Sequence, residues 1–335
     1  MMPPFITVLT APVPSERERL TREVRRRVRR VVKPGAPLPT ASPYPGHFAV
    51  VRSVVEGLRA IGADFNFNPG RSSELARIVY APANEALLQA ATLKRQGRVD
   101  YLVAGPVNAL FADECDAILQ LPQIDRVIVA HKWALEFFRE VPSLLGKSVP
   151  CPCGVDTEVW KPSGISHRPL GLVYWKSGEE AFCEQVERIV RACGLEPRRV
   201  QSRHGEHAIF SPADYRRLLD QSAMGIFLSS FETQGLALAE AWSMNVPTLV
   251  WDAQGVAEWR GRSFQSRSSA PYLTPATGRL WRTIDELESL LREALLDRGA
   301  FAPREWTLAN MTDAICAARL LEIIRIGAMQ ARVAG

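Results

Sequence analysis

Two carboxylates, Glu232 and Glu240, stand on either side of a glycine that follows an apolar run. The stretch reads Ile226-Phe-Leu-Ser-Ser-Phe-Glu-Thr-Gln-Gly-Leu-Ala-Leu-Ala-Glu-Ala-Trp-Ser-Met-Asn-Val-Pro247. It predicts a strand, a polar loop with Glu232, Thr233 and Gln234, and a helix that starts at Gly235 and stops at Asn245 and Pro247. In open α/β sheets, ligands bind beyond the carboxyl ends of strands. A helix N-terminus placed there offers unpaired N–H groups and a partial positive charge, which suits a phosphate. Gly235 would let that anion approach the backbone closely. A carboxylate cannot hold a phosphate, but Glu240, in the first turns of the helix, can accept hydrogen bonds from the two hydroxyls of a ribose. Glu232, on the loop, can reach another part of the same ligand. Together they describe a nucleotide-sugar pocket. The plainer alternative is two acids that complement the helix dipole.

Such a site needs a sheet to carry it, and the rest of the chain supplies the pattern. The 335 residues are 47% hydrophobic and 23% charged, with a net charge of +5. This composition excludes a disordered chain, a collagen-like chain and a disulfide-stapled miniprotein. The length suits two domains, each with its own core. No apolar run reaches the roughly 20 residues that span a bilayer. The N-terminus shows no basic stretch followed by a long apolar run, so no signal peptide is expected. The six cysteines include Cys151-Pro-Cys153 but no second close pair, a spacing that does not fit a structural zinc site and suits reduced thiols in the cytoplasm.

Short apolar runs predict strands over 5–10, 63–67, 78–81, 101–104, 126–130 and 148–150, with helical patterns between them such as 85–94 and 132–140. Phe48, Val51, Val54, Val55 and Leu58 recur at helical spacing after a loop with five prolines and two glycines over 34–46. Strands are predicted again over 171–175, 199–202, 225–229 and 247–251. Helices are predicted over 179–193, 212–221, 235–244, 284–298 and 307–326. Alternation of this kind indicates parallel sheets covered by helices on both faces. The expected division is a first Rossmann-like domain over 1–150, a linker over 151–164, a second Rossmann-like domain over 165–320, and a C-terminal helix end and tail over 321–335.

Glu232-x7-Glu240, in its Gly-Leu-Ala-Leu-Ala-Glu-Ala-Trp context, resembles the Glu-x7-Glu signature of retaining GT-B-fold glycosyltransferases, the glycosyl transferases group 1 superfamily. Cys153-Gly-Val-Asp-Thr-Glu-Val-Trp-Lys-Pro162 resembles the "NGVD" interdomain segment of that family, with Cys153 where Asn is usual. The two motifs lie about 80 residues apart in the expected order. The resemblance implies a GT-B α/β fold, two Rossmann-like domains with parallel sheets facing across a cleft. It further implies hexosyl-type transfer from a nucleotide-diphosphate sugar (UDP or GDP) to an acceptor hydroxyl, with the anomeric configuration retained, in glycan or glycolipid biosynthesis.

Carried over residue by residue, Glu232 approaches the donor sugar and Glu240 binds the ribose. The N–H groups of Gly235, Leu236 and Ala237 take the pyrophosphate. Lys176, in Tyr174-Trp-Lys176, is the candidate cation for the leaving diphosphate. The usual Arg is missing from that strand, and Arg203 is the candidate substitute. Two cations there would stabilise the diphosphate without a metal, and no Asp-x-Asp pair is present to hold one. No metal and no cofactor beyond the donor are therefore expected. Gly46, in Pro45-Gly46-His47, resembles the family's glycine loop near the donor, although an ordinary loop glycine reads equally well. His131, at a strand end, is the candidate first-domain histidine. It falls on a later strand than the family's, and a structural histidine is the alternative. A sugar-nucleotide epimerase and a non-catalytic GT-B-like binding subunit are the rival readings.

The positive charge is local. Nine basic residues against three acids lie between Met1 and Lys33, while the whole chain carries only +5. Arg17–Lys33 reads as an amphipathic helix. Its basic face suits solvent, an anionic membrane surface or, with no supporting motif, nucleic acid. The expectation is a cytoplasmic enzyme with peripheral contact to the inner face of the membrane, a glycan, lipid-linked or small-molecule acceptor, and no nucleic acid partner.

Overall fold

A computed structural model of the protein describes residues 5–14, 21, 48–106, 109–165, 167–201 and 211–334. The Arg17–Lys33 segment (apart from Thr21), the Gly46 loop and Arg203 lie outside the described residues. The chain divides into two compact units, Met1–Pro152 with Cys316–Gly335, and Cys153–Ile315.

The first unit holds strands β1 (Ile6–Val8), β2 (Phe65–Phe67), β3 (Ile78–Ala81), β4 (Tyr101–Ala104), β5 (Arg126–Val129) and β6 (Ser148–Pro150). They form one parallel sheet in the order β2-β1-β3-β4-β5-β6. Every residue of β1, β3 and β4 is buried, as a parallel sheet covered on both faces requires. Helix α1 (Phe48–Ala60) packs Val51, Val54, Val55 and Leu58 on one face, while Phe48 stays exposed. Helix α2 (Asn84–Arg95) packs Ala86, Leu87, Ala90 and Ala91 on the other. The helix expected over 132–140 is two short turns, Lys132–Leu135 and Glu136–Arg139.

The second unit holds β7 (Leu170–Trp175), β8 (Glu196–Gln201), β9 (Ser222–Leu228), β10 (Thr248–Trp251) and β13 (Gly278–Trp281) in a parallel sheet ordered β13-β10-β9-β7-β8. Helices α3 (Glu180–Ala192) and α6 (Ile284–Leu296) cover one face, and α4 (Pro212–Asp220) and α5 (Leu236–Ser243) the other. A hairpin, β11 (Val256–Trp259) and β12 (Arg262–Gln265), follows the carboxyl end of β10. Its turn residues Arg260 and Gly261 both have positive φ, 49° and 77°. The hairpin and β13 do not appear among the sequence-predicted strands.

The helix expected over 307–326 is broken. Helix α7 (Pro303–Asn310) ends, and α8 (Asp313–Ala334) begins after Thr312, whose hydroxyl accepts from the Ile315 N–H at 3.2 Å. The break leaves the Met311 carbonyl to accept from the Val155 N–H at 2.9 Å, a bond a continuous helix would forbid. From Ala317 onward α8 packs into the first unit's core through Leu320, Leu321, Ile324 and Ala328. Gly327 allows this, because a Cβ there would lie 1.9 Å from Tyr101 Oη. The segment after Cys153 belongs to the second unit, with Val155 and Trp160 buried in its core. Burial pushes the Cys151 thiol up to about 12 and that of Cys183 to about 11, so neither is a thiolate at neutral pH.

Candidate functional site

In the second unit the strand order reverses between β7 and β9, since β8 lies outside β7 and β10 outside β9. Connections from these two strands therefore leave toward opposite faces and open a crevice at their carboxyl ends. The two loops that border it carry Lys176 and Glu232. The N–H groups of Lys176 and Ser177 both donate to the Leu228 carbonyl, at 2.9 and 3.0 Å, which fixes the end of β7 against the end of β9. Lys176 Nζ donates to Glu232 Oε1 at 2.7 Å, and each side chain is only 15% exposed. The buried Ser229 Oγ lies 3.2 Å from the same carboxylate oxygen and 2.7 Å from the Phe231 carbonyl. Ser177 Oγ and Ser230 Oγ are 3.1 Å apart.

The loop that presents Glu232 is held from below. The Glu232 N–H donates to the Ser268 carbonyl at 2.9 Å, and Ser266 Oγ donates to the Ser230 carbonyl. The fully buried Phe231 meets Phe264 and Trp259 of the hairpin edge to face, at 5.0 and 6.0 Å. Such aromatic pairs add to burial in fixing one geometry. Gln234 Nε2 donates to the Cys153 carbonyl at 3.3 Å, so the motif around Cys153 braces the loop just ahead of the helix.

Gly235 caps α5 in the left-handed conformation, φ 66° and ψ 43°, where a side chain would be strained. The first turn of a helix leaves its N–H groups without intrahelical acceptors, which puts those of Leu236, Ala237 and Leu238 at this end. Glu240 follows in the second turn and is half-buried. Beneath α5 lies Tyr215 of α4, 1% exposed, whose hydroxyl donates to the Ala237 carbonyl at 2.9 Å. Burial raises this phenol well above its ordinary range, and Tyr174, Glu240 and Glu232 act in the same direction.

The structure thus brings Lys176 and Glu232 into contact and sets Gly235, Leu236, Ala237 and Glu240 on the element that follows. His131 lies in the first unit after β5. It caps the Lys132–Leu135 turn, with Nδ1 accepting from the Trp133 N–H at 3.3 Å. Ser229, Tyr215, and Ser266 and Ser268 just after the hairpin carry no sequence pattern that marks them as site residues. Among the described residues no three His, Cys, Asp or Glu side chains gather as a metal site, and no helix is long and apolar enough to cross a membrane.

No protein-family model matches the chain, and no curated protein matches it in sequence. Solved structures match it in fold. HepE of Anabaena, in complex with UDP and glucose, is 12% identical, with a TM-score of 0.53 over 96% of this chain and 98% of that one. Sucrose-phosphate synthase from Thermosynechococcus elongatus is 12% identical, with a TM-score of 0.52 and full coverage of both chains. The catalytic domain of starch synthase IV from Arabidopsis thaliana, bound to ADP and acarbose, is 11% identical, with a TM-score of 0.52 over 84% of this chain and 77% of that one. The chain has the GT-B fold, two Rossmann-like units each built on a parallel sheet.

Proposed function

We propose that this chain is a retaining glycosyltransferase that moves a hexose from a nucleoside-diphosphate sugar to an acceptor hydroxyl. The observation that carries the reading is the Lys176–Glu232 pair at the β7/β9 switch point, beside a helix that starts on a left-handed glycine. A cation, a carboxylate and a helix N-terminus at one crevice match the three parts of such a donor. The diphosphate takes the N–H groups of the first turn of α5 and the ammonium of Lys176. The ribose hydroxyls donate to Glu240, and the sugar hydroxyls to Glu232.

In the reaction, the bond between the anomeric carbon and the diphosphate oxygen breaks while the acceptor oxygen bonds to the same carbon. The acceptor proton passes to the departing phosphate, which leaves on the face the acceptor enters. Charge grows on the diphosphate as that bond stretches, so a cation and oriented N–H dipoles stabilise the transition state more than the bound donor. Arg203 is proposed as a second cation and His131 as a first-unit contact to the donor sugar. Gly46 is proposed to let the chain come close to the donor. The same electrostatics supply the charge stabilisation for which other transferases use a metal ion.

HepE was solved with UDP-glucose and starch synthase IV with ADP, which makes UDP and ADP the first nucleotides to try here. The charge of Arg17–Lys33 supports a cytoplasmic enzyme that touches an anionic membrane and takes a lipid-linked acceptor. A thermal-shift screen with UDP, GDP, ADP and CMP tests the reading, because a ligand that binds only the folded state raises Tm. One nucleoside diphosphate should stand out, and its hexose conjugate should transfer to an acceptor. Acceptor-independent epimer formation would instead make the chain an epimerase. No shift with any nucleotide would make it a binding subunit without a donor site.

A further inference from the structure

Tyr215 sits on α4, 22 residues before the carbonyl it binds, and the proposed donor contacts do not include it. Its ring is the centre of an aromatic cluster beneath the site, edge to face with Trp160 at 5.7 Å and tilted against Tyr174 at 5.9 Å. Tyr174 lies two residues before Lys176 and stacks on Phe227 of β9 at 5.0 Å. The ring therefore joins the strands that carry Lys176 and Glu232 to the helix that carries Gly235 and Glu240. A buried phenol needs an acceptor. Its hydroxyl donates to the Ala237 carbonyl, which as a helical carbonyl also faces the N–H four residues on.

The Ala237 carbonyl and the Leu238 N–H belong to one peptide unit. A hydrogen bond accepted by the oxygen withdraws electrons from the N–H and makes it a stronger donor. That N–H is the third of the first turn of α5 and points out of the N-terminal end of the helix. We infer that Tyr215 is a positioning residue for the phosphate site: it fixes and polarises the Ala237–Leu238 peptide, so that the Leu238 N–H binds the diphosphate of a nucleotide. The inference rests on the donor reading above and adds a residue to it. Tyr215 touches no substrate and acts through the backbone of α5.

The consequence is selective. Loss of the hydroxyl should weaken ligands that carry a diphosphate and spare those that do not. In the full chain, Tyr215→Phe keeps the ring and its contacts. Its affinity for UDP, or for whichever nucleoside diphosphate the screen selects, should fall about 3- to 10-fold, the usual worth of one net hydrogen bond. Affinity for the matching nucleoside, measured by competition, should stay the same. An equal loss for both, or no loss for either, overturns the inference while leaving the donor site standing. Failure of the wild type to bind any nucleoside diphosphate overturns both. A measurement on wild type alone guards against a variant that does not fold. With 13C-alanine and 15N-leucine labels, the Ala237–Leu238 amide proton should move downfield when the nucleoside diphosphate is added and hardly move with the nucleoside. An amide that ignores the diphosphate refutes the role.

Discussion

Lys176 Nζ donates to Glu232 in the structure, so a diphosphate has to compete with that carboxylate for the ammonium, and the sign of the competition is testable. Glu232→Gln removes the charge and keeps the shape. The pair it breaks is short, 2.7 Å, and both side chains are 15% exposed. Exposed pairs are worth about 0.2–1 kcal/mol, and breaking a fully buried one costs about 3–5 kcal/mol. At this partial burial about 1–2 kcal/mol is reasonable, or roughly 5- to 30-fold in affinity. In wild type a free nucleoside diphosphate has to displace the Glu232 carboxylate from Lys176 and then sit near an unpaired acid. The variant has neither cost, so it should bind the free nucleoside diphosphate about 5- to 30-fold more tightly. The intact donor is different. Its sugar hydroxyls replace Lys176 as donors to Glu232, so the variant loses that contact and gains little. Transfer should fall because the sugar is no longer held. Calorimetry with the nucleoside diphosphate and its sugar conjugate, on both proteins, reads the two affinities directly. If Glu232→Gln weakens or leaves unchanged the binding of the free nucleoside diphosphate, the carboxylate does not compete for Lys176 and the reasoning is wrong.

Three further outcomes follow, two from the same geometry and one from the charge of the sequence. Lys176→Ala should lower kcat far more than donor affinity, since the charge it stabilises appears in the transition state; a rise in KM alone would make it a binding residue. Glu240→Ala should weaken nucleoside-diphosphate binding at least about tenfold, or about 1.4 kcal/mol, as measured by calorimetry on a folded variant. Replacing Arg25, Arg26, Arg29 and Arg30 with Gln should abolish co-sedimentation with anionic vesicles at low salt while turnover of a soluble acceptor continues. Wild type itself should leave such vesicles at about 1 M salt, where the Debye length is about 3 Å.

Much of the architecture is legible because parallel strands, buried on both faces, leave short uninterrupted apolar runs. Ile78–Ala81 and Tyr101–Ala104 are found at those bounds. The edge strands are harder. β8 begins Glu-Pro-Arg-Arg, four residues that alternate between exposed and half-buried before the buried Val200, and β13 carries Arg279 and an exposed Leu280, so neither shows the apolar run of a central strand. The β11–β12 turn uses Arg-Gly where Asn-Gly or Asp-Gly is the strong signal, so the sequence carries little sign of the hairpin. In the site, Glu232, Gly235 and Glu240 sit in one continuous stretch and can be read from spacing. The Lys176–Glu232 contact joins residues 56 apart through β7–β9 pairing, which no local pattern records. Tyr215 was hidden for the same reason. On the sequence it is one more apolar position of an amphipathic helix, and only packing against α5 gives its hydroxyl a partner.

The central claim is that a nucleoside diphosphate sits at the β7/β9 switch point with its phosphates on the first turn of α5. A crystal structure of the full chain with the nucleotide selected by the thermal screen tests it most directly. The account predicts phosphate oxygens about 3 Å from the first-turn N–H groups of Leu236, Ala237 and Leu238, ribose hydroxyls on Glu240, and Lys176 turned from Glu232 to the diphosphate. A nucleotide bound elsewhere, or a Lys176 still paired with Glu232 beside it, would contradict the account.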